Sequence, residues 1–124
     1  MAARAAICAT PADLAAMDQC LADMAQGLSF VQWKRLDDKL HRTVAEATHN
    51  GLLLLLYDTL RSQIKLSLDA RLEDVFGATT GPLETSDAGH RSFVEAIRKH
   101  DPERAEGAMR DHLQTVRVMM FGLR

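Results

Sequence analysis

Trp33-Lys-Arg-Leu-Asp37-Asp-Lys-Leu-His41-Arg-Thr-Val-Ala-Glu-Ala-Thr48 decides how the chain reads. Ser29 can cap the helix it belongs to, and Gln32 can reach back to complete a capping box. At 100° per residue from Trp33, Leu40 falls near about −20°, Val44 near about +20° and Ala47 near about −40°. These residues define a buried stripe. Asp37 lands near about +40° and His41 near about +80°, at the stripe's edge, whereas Asp38 falls near about 140° and is expected to face water. The face therefore selects Asp37 as the inward acid. A carboxylate in a core needs a cation or strong donors beside it. The competing reading is a half-exposed Asp37 paired with a protonated His41 along the helix.

Outward from this stretch, the chain of 124 residues suits one domain with one core. Most of it has helical period, so the expected class is all-α, an antiparallel helical bundle. Met1 to Ala9 reads as the tail of a helix whose beginning is absent, as in a truncated gene product or an expression fragment. Thr10-Pro11-Ala12-Asp13 restarts the chain as a cap, a first helical residue and a first-turn acid. Leu14, Met17, Leu21 and Met24 then mark a core face ending near Gly27.

His49-Asn50-Gly51 is a break, with left-handed backbone expected at Asn50 or Gly51 and a surface or capping role for His49. Leu52 to about Phe76 is one long helix, with Leu53, Leu56, Tyr57, Leu60, Ile64 and Leu68 as its buried side. Arg61 and Lys65 border that side. Arg61 is a weak candidate for an anionic effector, with surface snorkelling as the commoner outcome. Gly77 to Thr85 reads as a loop, and Ser86 or Asp87 as the next helix start. On that helix His90 shares the face of Phe93 and Ile97, while His100 sits in the last turn and suits its C-terminus. Asp101-Pro102 opens the final helix, whose stripe is Ala105, Met109, Leu113, Val116 and Met120. His112 projects between Ala105 and Met119 on that face.

Fifteen basic residues against seventeen acidic ones give a net charge of −2. No basic stripe is available for phosphate, so this chain alone is not expected to bind nucleic acid well. Cys8 and Cys20 have no metal or redox spacing and read as reduced thiols of a cytoplasmic protein. The apolar run Leu52 to Leu56 is too short to span a bilayer, so no membrane role is expected.

A lone inward histidine is commonly a satisfied core residue. Three of them with one inward acid, on three helices, point instead to a divalent metal held by Asp37, His41, His90 and His112. Two other classes compete with a binding module. A small metal-dependent hydrolase would use a metal-activated water, but Glu46 and Glu95 project away from the stripes. A metal-free helical dimerisation module would simply bury its histidines.

Two segments resemble a known family. LDDKLHRTVAEATHN (36–50) is similar to its D-x-x-[FL]-H-x-x-[IL]-x-x-[AS]-x-x-N motif, and GHRSFVEAIRKHDPERAEGAMRDHL (89–113) to its second conserved segment. The family is the C-terminal effector-binding domain, called FCD, of GntR-type transcriptional regulators of the FadR subfamily. The resemblance runs from about Ala5 to Leu123. It implies an antiparallel bundle, a homodimer, and a metal, zinc or nickel most often, that helps hold a small organic acid. Carried over one by one, the family's ligands fall on Asp37, His41, His90 and His112. DNA binding would belong to a winged helix-turn-helix domain that this chain lacks. Two positions depart from the pattern: His49 stands where glycine is usual, and Gly89 where an acid precedes the histidine.

Overall fold

Helix starts are written into the sequence as reciprocal hydrogen bonds. Thr10 Oγ1 accepts from the Asp13 amide at 3.2 Å, and Asp13 Oδ2 accepts from the Thr10 amide at 2.9 Å. Ser29 Oγ and Gln32 Oε1 make the same exchange at 3.3 and 3.2 Å. Each box satisfies amides that the first helical turn leaves without a partner. Asp101 Oδ1 likewise accepts from the Arg104 amide, with Pro102 at the first helical position.

The computed structural model describes residues 1–27, 29–76 and 81–121, with side chains described within 1–27, 29–63 and 86–118. The fold is all-α. Six helices follow in order: α1 (Ala2–Cys8), α2 (Pro11–Met24), α3 (Phe30–Glu46), α4 (Gly51–Phe76), α5 (Gly81–Arg98) and α6 (Pro102–Phe121). Among the described residues there is no strand, and no helix is long and apolar enough to cross a membrane. The short turn at 99–101 folds α6 back along α5, and these two helices pack most extensively. α2 packs on α3, α4 on α3, and α1 reaches α3, α5 and α6.

The core is built from the expected faces. Met17, Cys20 and Met24 of α2 meet Trp33, Leu40 and Val44 of α3, with Phe93, Val94 and Ile97 of α5 and Ala105 of α6. Complete burial of a side chain such as Leu40 or Phe93 contributes about 1.5–3 kcal/mol. α1 contributes small residues, Ala2, Ala5 and Ala6, which let its backbone approach its neighbours closely. Arg4 Nε donates to the Thr48 carbonyl at 3.2 Å, tying α1 to the end of α3. His100 has φ of 54° just past α5. Its Nδ1 lies 2.8 Å from the Ala6 carbonyl, so it serves the C-terminal turn of α1 rather than that of its own helix.

Several sequence expectations need correction. The left-handed residue in the His49-Asn50-Gly51 break is His49, with φ of 50°. Asn50 instead caps α4, its Oδ1 accepting from the amides of Leu52 and Leu53. That backbone explains why glycine suits position 49. His49 stays there with Nε2 2.7 Å from Asp13 Oδ2. α5 begins at Gly81, not at Ser86, because Pro82 lacks only an amide that a first turn leaves unpaired. Residues 77–80 of the expected loop lie outside the described ones.

The expected buried side of α4 is half wrong. Leu53 and Tyr57 are half-buried, but Leu56 and Leu60 are 50% and 63% exposed. Ile64 and Leu68 lie outside the described side chains. Five successive leucines carry no periodicity, so the sequence could not say which of them α3 would cover. On α6, Leu113 is exposed and Val116 half-buried, because the turn that carries His112 inward rotates Leu113 out; Met120 lies outside the described side chains.

Candidate metal centre

α3 presents Asp37 and His41 one turn apart, α5 presents His90, and α6 presents His112. Each of the four offers a donor atom within 4.8 Å of all the others. The rings of His41, His90 and His112 lie 4.5 to 5.4 Å apart, centre to centre. Phe93 walls the cluster, with its ring 5.6 Å from His41, 5.7 Å from His90 and 5.6 Å from His112. The side chains expected to share one interior point therefore do so, although they come from sequence positions as far apart as 37 and 112.

Asp37 is the acidic centre of the group. Its side chain is 13% exposed. Oδ1 lies 2.8 Å from His90 Nε2 and 3.4 Å from His41 Nε2, while Oδ2 lies 3.2 Å from Lys34 Nζ. Burial pushes this carboxyl up, but His41, His90 and Lys34 together outweigh it and hold it well below the usual carboxylate range. Burial likewise pulls His90 down, and its contacts with Asp37 and Asp87 outweigh that and raise it. For His112 the nearby acids, Asp37 and Asp87, compensate too little. Burial, with His90 and His41 alongside, drives it down to about 3. His112 is thus a neutral imidazole at neutral pH, the form that donates a lone pair.

The cluster's hydrogen bonding is incomplete. His90 Nδ1, His90 Nε2 and His112 Nδ1 are buried without an aligned hydrogen-bond partner, although Asp37 lies close to one and Asp87 to another. Buried imidazole nitrogens left this way are costly. A divalent ion accounts for such a group: three nitrogens and one carboxylate suit zinc, nickel and neighbouring metals. Bonds of about 2.0–2.2 Å to one ion would need the four donors closer together than they now lie, an adjustment within reach of side-chain movement. The residues present fit a metal.

Other side chains support the four, and the sequence reading missed them. Lys34, one turn before Asp37, is buried and also contacts Asp38 at 2.6 Å. Asp87 lies one turn before His90, with Oδ1 3.4 Å from its Nδ1, and the Trp33 indole donates to that oxygen at 3.1 Å. Both are i−3 neighbours of a donor, a spacing the sequence carries. Asp38 does not face water as expected: it is part-buried and held by Lys34 and Arg61, because α4 covers that side of α3. Among the described residues, Arg61 reaches the cluster at one remove, through Asp38 and Lys34. Cys8 and Cys20 are free thiols outside the cluster.

The family model of the FCD domain matches residues 1–115. The chain belongs to the FCD domain family. Among curated proteins it is 26% identical over 95 residues to a "Probable D-xylose utilization operon transcriptional repressor" of Paenarthrobacter nicotinovorans, covering 77% of this chain and 39% of that one. It is 25% identical over 119 residues to the "Glc operon transcriptional activator" of Escherichia coli (strain K12), covering 91% and 46%. The FCD chain thus spans less than half the length of these relatives.

Proposed function

We propose that this FCD chain is the metal-containing effector-binding domain of a GntR-type bacterial transcriptional regulator of the FadR subfamily. Residues 1–124 form one ligand-sensing domain, and DNA binding resides in a separate winged helix-turn-helix domain of the whole cytoplasmic regulator. The observation that carries this reading is the convergence of Asp37, His41, His90 and His112, with buried ring nitrogens that lack an aligned hydrogen bond, in an FCD-family chain. The relatives' names, a transcriptional repressor and a transcriptional activator, support the regulatory role.

Asp37, His41, His90 and His112 would hold the ion, zinc or nickel. When bound, the ion supplies a cationic site with open positions for the carboxylate of a small organic acid. The chain's own residues prepare that site. Lys34 holds Asp37 Oδ2 and leaves Oδ1 toward the histidines. The surrounding burial keeps His112 neutral, so that donor need not lose a proton. The donors sit on α3, α5 and α6, so an effector that favours one arrangement of these helices shifts their equilibrium and is read by a partner domain. The two acids weighed as a general base for the hydrolase alternative lie elsewhere: Glu46 is exposed and paired with Arg42, and Glu95 is exposed and paired with Arg98.

Elemental analysis of tag-free protein tests the metal directly, beside a D37A/H41A double variant. Near-stoichiometric zinc or nickel in the parent and none in the variant is expected. A parent that takes up no metal after incubation with either ion would overturn the proposal and leave a metal-free helical dimerisation module.

A further inference from the structure

Gly89 lies inside α5, immediately before His90, where a helix gains nothing from glycine and loses about 0.8–1.0 kcal/mol relative to alanine. Its neighbour explains the choice. A β-carbon built at position 89 would sit 2.5 Å from His112 Nδ1 and 3.1 Å from both His112 Cβ and Cγ. Favourable contacts of this kind lie at about 3.5–4.0 Å. Rotating the imidazole relieves the first contact but not the contact with His112 Cβ, which moves only with the α6 backbone. The ring has little freedom besides, since it packs against those of His41, His90 and Phe93. Gly107 shows that the feature is local: it is also interior to a helix, α6, and a β-carbon there meets nothing within 4 Å.

We propose that Gly89 is a positioning residue for the donor cluster in this chain: where the family pattern has an acid before the histidine, glycine lets α6 approach α5 closely enough here that the His112 ring lies against α5, beside Asp37, His41 and His90. The proposal rests on the metal-centre reading for its functional meaning, but the positioning itself concerns two residues of this chain. Gly89 touches no ion. It acts through His112, by setting how closely α6 approaches α5 at that turn.

Two measurements test it, one with metal and one without. Zinc titration of metal-stripped protein should give G107A the parent's affinity and G89A an affinity weakened by about 10- to 100-fold. Independently, a double-mutant cycle on the metal-free protein compares G89A in the parent and in an H112A background. G89A should lower the melting temperature of the parent but raise it, or leave it unchanged, where His112 is absent, because the obstacle is then gone and the helix propensity of alanine remains. A G89A protein that is no less stable than the parent overturns the positioning role, whatever the metal result. A parent that binds no zinc, with the stability cycle as expected, would remove the metal-centre reading and leave Gly89 as a packing residue for His112.

Discussion

His112 is the donor whose surroundings most oppose a charge, and it makes the protein sensitive to acid. Its imidazole is driven to about 3 in the fold by burial and by His90 and His41, against about 6.5 when unfolded. Between those values the unfolded chain binds the extra proton. The stabilising contribution is therefore complete above about pH 6.5 and is lost as pH falls toward 3, with a slope of up to about 1.4 kcal/mol per pH unit. His90 has the opposite sign: its pKa is raised, so its contribution is complete below the unfolded value and is lost as pH rises through the folded one. Denaturant melts of metal-free protein should thus weaken on acidification, and H112Q should flatten the curve between about pH 4 and 6.5. An unchanged slope in H112Q would mean that another group takes up the proton. At this scale the convergence of Asp37, His41, His90 and His112 was legible because face projection asks only where a side chain points. Gly89 and Lys34 were not, because their roles depend on what another helix brings within a few ångströms.

Among the helices, legibility followed local chemistry. The starts of α2, α3 and α6 were readable because a cap is satisfied within four residues of sequence, and Thr10, Ser29 and Asp101 all cap as expected. The start of α5 was misread since Gly81-Pro82 signals a turn and a helix start equally well. The buried faces of α2 and α3 were readable from spacing, whereas that of α4 was obscured by the run Leu52 to Leu56. α3 carries two of the four donors, so its cap bears on the centre. S29A leaves the Gln32 amide without its acceptor and should cost about 1 kcal/mol in chemical denaturation. The loss is confined to the first turn, so zinc affinity should stay near that of the parent. A cost near zero would show that water replaces the hydroxyl at this exposed end.

For the molecule as a whole, the distribution of exposed leucine argues for self-association. Leu52, Leu55, Leu56 and Leu60 are 64%, 61%, 50% and 63% exposed. At 100° per residue they fall within an arc of about 140° on one side of α4. A row of this kind on one helix is a common mark of an interface. The homodimer that the resemblance implies would bury it against a second copy. Burial of each leucine is worth about 1.5–3 kcal/mol, set against several kcal/mol of lost rigid-body freedom, so two leucines decide the outcome. Sedimentation at tens of micromolar should find the parent as a dimer and L56E/L60E as a monomer, with helicity and metal content unchanged. A monomeric parent would overturn the expected homodimer. A double variant that remains dimeric would move the interface off α4 and leave the exposed leucines to a different partner.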